Sequence, residues 1–391
     1  MLTALKLAYR NIVGAGLRTW LNVIVLSFSF VVIIWMKGML VGWDHQAKSD
    51  MKNWEIAGGQ YWQEAYDPFD PFTLQDAHAT IPDDLRDEIT TGKVVPVLFA
   101  QGTIYPSGRM QSILIKGIDP GQQLLALPTQ KLDTAISAIP GIIGSRMAGS
   151  NKLEVGDYVI IRWRDAHGTF DAAEILITAI FNTNVPTVDV AQVWIPLEKL
   201  QSMLVLPGEA TLLTISDEIV EKPRRDGWKL MTFEQLVADV EKMIQTKSAG
   251  QSVFYIILLL LAMLAIFDTQ VLSIFKRQRE IGTYIALGYT RHEVVALFTL
   301  EGAMHAIMAA IVAAVYGIPL LLWQAKTGIN LPVDSGDYGI AIADTMYPLY
   351  TAGLIVTTIF VVLVTTTVVS YLPSRKIAKM NPTEALRGKL Q

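Results

Sequence analysis

Apolar residues gather in four long blocks along this chain, at Trp20 to Leu40, Ser252 to Ile274, Val294 to Trp323 and Tyr347 to Leu372. Each is near or above the roughly 20 residues that an α-helix needs to cross hydrocarbon. The pattern predicts spans over 20–42, 251–275, 294–323 and 347–372, with a globular segment over 43–250 between the first and the second. Within that segment, Tyr158 to Arg164 and Glu174 to Phe181 read as strands of a hairpin around the polar Asp165 to Gly168. Ile113 to Ile118 and Thr211 to Ile215 add further strand signals, so the segment reads as α+β. Phe233, Leu236, Val237, Val240, Met243 and Ile244 recur at helical spacing, which predicts a stalk helix over 232–250 running towards the second span. Before the first span, Leu5, Ala8, Tyr9 and Ile12 suggest an amphipathic interfacial helix within 1–19.

Composition agrees: the 391 residues are 51% hydrophobic with a mean hydropathy of +0.37. The fold class is that of a polytopic α-helical membrane protein, one span plus three, with a large extracytoplasmic α+β domain. Charge orients it, because Lys and Arg near span ends stay on the cytoplasmic side. Lys6, Arg10 and Arg18 precede the first span. Lys276, Arg277, Arg279 and Arg291 lie in the short loop of residues 276–293, and Arg375, Lys376, Lys379, Arg387 and Lys389 in the tail of 373–391. The loop of 324–346 has Lys326 against Asp334, Asp337 and Asp344 and belongs with the domain outside. Residues 43–250 hold 18 basic and 28 acidic side chains, which argues against nucleic-acid binding there. Cysteine is absent, which removes disulfides and thiolate chemistry. The first block is long and continues into Lys37-Gly-Met-Leu rather than a small-x-small cleavage site, and so reads as a retained anchor.

Several catalytic patterns fail on spacing. Gly388-Lys389 has Thr383 where a P-loop needs its first glycine, and His292-Glu293 is followed at position 296 by Ala where a zinc-protease helix needs His. Ser273 to Lys276 and Lys326 to Gly328 mimic two β-lactamase elements but fall on opposite sides of the membrane. Intramembrane polar residues are costly and so informative. Glu301 and His305, four apart on the third span, are placed to hydrogen-bond to each other, as a packing pair or as part of a proton relay. Asp268 lies near the inner end of the second span, and Lys37 can reach the outer headgroups. Ala303, Ala306, Ala310, Ala313 and Gly317 form a small-residue stripe suited to close packing within the bundle or between two copies.

Phe275 to Gly288, with Arg279-Glu-Ile-Gly282 and Ala286-Leu-Gly288 inside it, followed by Leu300-Glu-Gly302, resembles the cytoplasmic signature of MacB/FtsX-type ABC transporter permeases. The tail Leu372 to Arg387 and the N-terminal Ala8-Tyr-Arg-Asn-Ile resemble the same family at both ends of the chain. Lys116-Gly-Ile-Asp-Pro120, Ile143 to Ala148, Val155-Gly-Asp157, Val188-Asp-Val and Trp194 to Leu197 are similar to lipoprotein-releasing LolC/LolE-like members. Only Asp217 to Asp226 stands where such members carry a chaperone-capturing hairpin, so the resemblance stops short of chaperone capture. It implies a non-catalytic inner-membrane subunit that binds no cofactor itself, ATP and Mg being held by a partner ATPase dimer. It implies a second permease chain, identical or related, and motion of the external domain through the stalk to move a lipoprotein or other amphiphile at the lipid surface. It further implies that residues 276–293 hold a coupling helix, the short amphipathic segment Arg279 to His292, on which Arg277, Arg279, Glu280, Ile281, Gly282, Ala286, Leu287 and Gly288 would make the ATPase-coupling contact. An FtsX-like regulator of an external cell-wall hydrolase is the alternative, and a membrane-anchored enzyme or sensor a weaker third.

Overall fold

The computed structural model describes residues 17–134, 137–330 and 345–379. The amphipathic segment around Leu5 to Ile12, the acidic loop residues Asp334, Asp337 and Asp344, and the tail from residue 380 with Arg387 and Lys389 lie outside the described residues. The chain divides into two units. One comprises Met1–Trp43, Ile244–Ile329 and Met346–Gln391; the other comprises Asp44–Met243 and Asn330–Thr345.

Six helices carry the description: α1 (Leu17–Met51), α2 (Leu197–Leu204), α3 (Phe233–Lys276), α4 (Gln278–Ala286), α5 (Arg291–Thr327) and α6 (Ala352–Ser374). Of these, α1, α3, α5 and α6 are the four long and apolar enough to cross a membrane. A helix satisfies every backbone polar group internally, which hydrocarbon demands. Their bounds depart from the hydrophobic blocks for local reasons. The α1 helix continues through the polar residues after Gly42, and α3 is one unbroken helix through Ser248 to Gln251. At the start of α5, the Thr290 hydroxyl accepts from the Glu293 N–H while the Glu293 carboxylate accepts from the Thr290 N–H. This capping box puts residues 291–293 in the first turn of the third span rather than in the preceding loop. The Thr351 hydroxyl accepts from Leu354 N–H and starts α6 at Ala352.

In the membrane unit, α1 is the central helix, half buried where α3 is 11% buried. Its Val23, Leu26, Phe30, Val31 and Ile34 pack against Ala262 and Ile266 of α3, Ala306, Ala309 and Ala313 of α5, and Val362 of α6. Asn22 Nδ2 donates to Thr269 Oγ1 at 2.5 Å, and the Ser27 and Tyr316 hydroxyls pair at 3.3 Å. Such bonds fix helix register where lipid supplies no hydrophobic drive for association. Lys37 Nζ sits 5.6 Å from the centroid of the Tyr255 ring. The side chains that α3 leaves exposed, Phe254, Ile256, Leu260 and Leu264 among them, are apolar, as hydrocarbon contact requires.

In the external unit, nine strands form one sheet: β1 (Gly59–Gln63), β2 (Val94–Ile104), β3 (Gln111–Ile118), β4 (Ile139–Gly144), β5 (Tyr158–Arg164), β6 (Phe170–Phe181), β7 (Gln192–Pro196), β8 (Leu212–Ile215) and β9 (Trp228–Thr232). The order is β9-β1-β8-β2-β3-β7-β4-β6-β5, with β5 pairing back onto β2. The long β2 makes this possible. Its first half pairs with β8, Val94 opposite Ile215, and its last residues pair with β5, Ile104 opposite Ile161. Six strands thereby close into a ring. Alternation then sorts the side chains: Leu98, Ile104, Ile115, Ile143, Ile161, Ile175, Val193 and Ile195 share one core with Leu200 and Leu204 of α2. Val95, Val97, Phe99, Ile118, Ile142 and Trp194 share a second core with Leu125, Leu127, Leu132 and Val188.

Two buried polar groups explain motifs of this unit. The fully buried Asp189 carboxylate accepts the N–H groups of Arg146 and Met147 at 3.1 and 3.2 Å, at the N-terminus of the helix Ser145–Asn151. Ile143 to Ala148 and Val188 to Val190 are thus a single feature, and a Cβ on Gly144 would overlap the Asp189 carboxylate. Burial raises the Asp189 pKa, against the lowering effect of those N–H groups and of the Arg146 guanidinium. Lys116 is also buried, with Nζ donating to Thr187 O at 2.9 Å and lying 4.9 and 4.8 Å from the Phe99 and Trp194 ring centroids. Its burial lowers the pKa to about 8, against the attraction of Glu55.

Candidate functional site

The helical path breaks at one residue after α3. Lys276 ends the helix, Arg277 leaves helical geometry at φ −105°, ψ 21°, and α4 begins at Gln278. Arg277 Nη1 donates to both Glu301 carboxylate oxygens at 2.9 Å, and its Nε donates to Glu280 Oε2 at 2.6 Å. The same guanidinium lies 4.9 Å from the Phe298 ring centroid. Burial opposes the Arg277 charge, but the Glu301 and Glu280 carboxylates outweigh it and raise the pKa. The result is a clamp, buried on its Glu301 side and open on its Glu280 side, joining the end of α3, the first turn of α4 and the body of α5. An apolar layer supports it: Ile274, Ile281, Val294, Val295, Phe298 and Ile377 are buried together, with Tyr284 and Ile285 against them.

The other face of α4 is open, with Arg279, Glu280, Thr283, Ala286 and Leu287 all exposed. The helix stops at Gly288, where φ is +99°. Gly288 N–H donates to Ile285 O and Tyr289 N–H to Tyr284 O, both at 3.1 Å, which is the paired bonding of a Schellman ending. Leu287 is 73% exposed and Tyr289 50% exposed, so this turn presents two large apolar side chains to solvent. Arg279 and Glu280 flank them on the preceding turn.

The candidate coupling residues thus divide in two. Arg279, Glu280, Ala286, Leu287 and Gly288 are on the open face, whereas Arg277, Ile281 and Gly282 are turned into their own bundle. A Cβ on Gly288 would meet nothing within 4 Å, so this glycine is required by its φ rather than by a close approach within the chain. The hydrogen bond expected between the Glu301 and His305 side chains does not form. The Glu301 carboxylate is taken by Arg277, and His305 Nδ1 lies 3.0 Å from the Glu301 carbonyl oxygen. Asp268 is on an exposed part of α3. Ala303, Ala306, Ala313 and Gly317 are buried and Ala310 half-buried, and Val31 of α1 fills the space beside Gly317, so the stripe packs within the chain.

Gly302, Phe298, Gln270 and Ser370 join the site although sequence reasoning gave them no role. A Cβ on Gly302 would overlap Ser370 Oγ and come within 2.9 Å of Gln270 Nε2, so the glycine lets α6 and α3 close against α5. The signal for it was its place after Glu301 in the Leu-Glu-Gly triplet.

Residues 252–382 match the family model described as FtsX-like permease C-terminal. The chain is 24% identical over 180 residues to the macrolide export ATP-binding/permease protein MacB of Escherichia coli, covering 46% of this chain and 26% of that protein. It is 27% identical over 191 residues to an uncharacterized ABC transporter permease of Methanocaldococcus jannaschii, covering 48% of this chain and 45% of that one. The chain thus spans less than half the length of either relative. Among solved structures, the periplasmic region of MacB from Actinobacillus actinomycetemcomitans aligns with a TM-score of 0.32 at 10% identity, over 49% of this chain and 96% of that one. Residues 252–382, which hold the three later membrane helices and the clamp, are thus the part of the chain that matches an FtsX-like permease C-terminal domain, and the chain is similar in sequence to MacB and to an ABC transporter permease.

Proposed function

We propose that this chain is the permease subunit of an ABC transporter and takes up ATP-driven motion from a separate ATPase through α4. The observation that carries this is the division of α4 into a clamped face and an open one. Arg277, bonded to Glu301 and Glu280, fixes the helix to the end of α3 and the body of α5. A push on the open face then reaches both spans rather than tilting a loose loop. The open face is chemically suited to a protein partner: Leu287 and Tyr289 supply apolar area, and Arg279 and Glu280 supply charges of both signs around it. The helix α3 continues without a break into residues of the external unit, which gives the motion a stiff element to travel along. The transported material, on this reading, is a lipoprotein or another amphiphile handled at the outer lipid surface, and two permease chains pair on an ATPase dimer.

Affinity purification of the full chain from native membranes tests the reading. An ABC ATPase should accompany the wild-type chain and be lost from Leu287→Glu and from Arg279→Glu, with the melting temperature of both variants unchanged. Equal recovery of the ATPase with wild type and both variants would remove α4 as the docking element.

A further inference from the structure

The external unit contains a cavity of about 380 Å³ with no part in the cytoplasmic surface. Its size is at the small end for pockets that hold a small molecule. It lies at the seam where β2 passes from β8 to β5. Its lining takes buried apolar residues from both cores, Ala100, Trp163, Leu204 and Leu206 from the first and Phe99 from the second. Arg162 and Arg164, two apart on β5 and therefore on one face, line the wall, with Met110 and Phe170 exposed beside them.

The two arginines are set apart by what they touch. The Arg162 guanidinium lies 4.3 Å from the Phe170 ring centroid. Arg164 Nε donates to Gly168 O and Nη1 to Gln75 Oε1, both at 3.3 Å. A ring face, a carbonyl and an amide are all neutral, and among the described residues neither arginine forms an ion pair. The nearby acidic groups are engaged elsewhere. Asp165 Oδ1 accepts the N–H groups of His167 and Thr169 at 2.9 and 2.7 Å, and Glu209 Oε2 pairs with His78 Nδ1 at 2.5 Å. The Asp165 carboxylate also lines the cavity, and its hydrogen bonds within the turn leave its charge in place, so the two guanidinium groups outnumber it at the rim. A guanidinium stacked on a ring keeps its edge N–H groups available for an anion.

We infer that this cavity binds a small anionic amphiphile, its apolar body against Leu204 and Leu206 and its carboxylate, sulfonate or phosphate held between Arg162 and Arg164. The inference stands apart from the coupling proposal, because binding is read without ATP turnover.

The test uses the full chain in lipid discs, with naphthalene-2-sulfonate as the anionic probe and naphthalene-2-methanol as its neutral counterpart. Binding is measured by equilibrium dialysis against empty discs. The wild-type chain should bind the sulfonate at one saturable site, and Arg162→Ala or Arg164→Ala should each weaken it about tenfold, the loss of a charge-assisted hydrogen bond. Ala166→Trp, which adds bulk at an exposed lining position, should abolish binding of both probes while the melting temperature holds. The neutral probe should bind at least tenfold more weakly and ignore both arginine changes. No saturable binding beyond empty discs, or sulfonate binding that survives Ala166→Trp, overturns the site. Loss with Ala166→Trp but not with either arginine change overturns its anion selectivity.

Discussion

Arg277 and Glu301 are 24 positions apart and meet only because the chain reverses between α3 and α5. Sequence offers Glu301 a nearer partner in His305, one helical turn on, and that local reading fails because both Glu301 carboxylate oxygens accept from the Arg277 guanidinium. Removing one member of a buried pair leaves a desolvated charge, so Arg277→Ala should cost about 3–5 kcal/mol, whereas replacing both members by Met should recover most of it. Melting of the double variant, of Arg277→Met and of Glu301→Met in lipid discs closes the cycle; independent, additive losses would mean the pair is not a unit. Lys116 gives a second residue-scale expectation. Its folded pKa of about 8 lies below the 10.5 of an exposed lysine, so the unfolded chain binds more protons between those values. Stability of the external unit should therefore rise with pH from about 8 to 10.5 and stay flat below 8. Lys116→Met should remove that rise and raise the melting temperature at pH 7, because a buried charge gives way to an apolar chain of similar length. Thermal unfolding from pH 7 to 10.5 measures both, and a pH profile unchanged by the substitution would place the titration elsewhere.

The helices were legible in the sequence and the sheet much less so. Apolar runs above 20 residues have one reading in a chain like this, and α4 was marked by the motif of Phe275 to Gly288 rather than by periodicity. What the sequence could not supply was which face of α4 is open, since that depends on α5 and on Ile377 lying against it. The β5–β6 hairpin was readable because Val159, Ile161 and Trp163 alternate with exposed residues, and it closes at Asp165 to Gly168 as expected. By contrast β2, which organises the ring, is buried along its first seven residues and shows no alternation. Such a strand resembles any apolar run until its partners are known. The C-terminal turn of α4 carries the expectation for this scale. Gly288→Ala places a side chain at φ +99° and should cost about 1–2 kcal/mol, as left-handed backbone does for an L-residue. Leu287→Glu, one residue away on an exposed position, should leave stability within about 0.5 kcal/mol. Urea unfolding of the two variants in detergent separates them; equal losses would show that the turn does not depend on the glycine.

The chain is a multi-pass inner-membrane protein with its β-rich unit on the extracytoplasmic side. Four apolar helices, basic flanks on one face and an acid-rich segment on the other agree with the family of residues 252–382. Single cysteines report the topology well here, because the native chain has none. Ser107→Cys and Thr283→Cys are both on exposed positions, and an impermeant thiol reagent added to spheroplasts should label the first and spare the second. The reverse pattern would invert the assignment. The closed ring also sets an order of events. Its pairings join Ile104 to Ile161 and Leu114 to Gln192, while Tyr61 waits for Leu213. Contacts this distant in sequence form late and slowly, because the intervening chain must be confined before any of them is made. The unit therefore cannot mature strand by strand as it emerges: a nascent chain that has exported residues up to β6 still lacks β7, the strand between β3 and β4. Protease resistance should appear in one step, after Pro196 has crossed, and until then the half-made sheet depends on whatever keeps unfolded chains from aggregating outside the membrane.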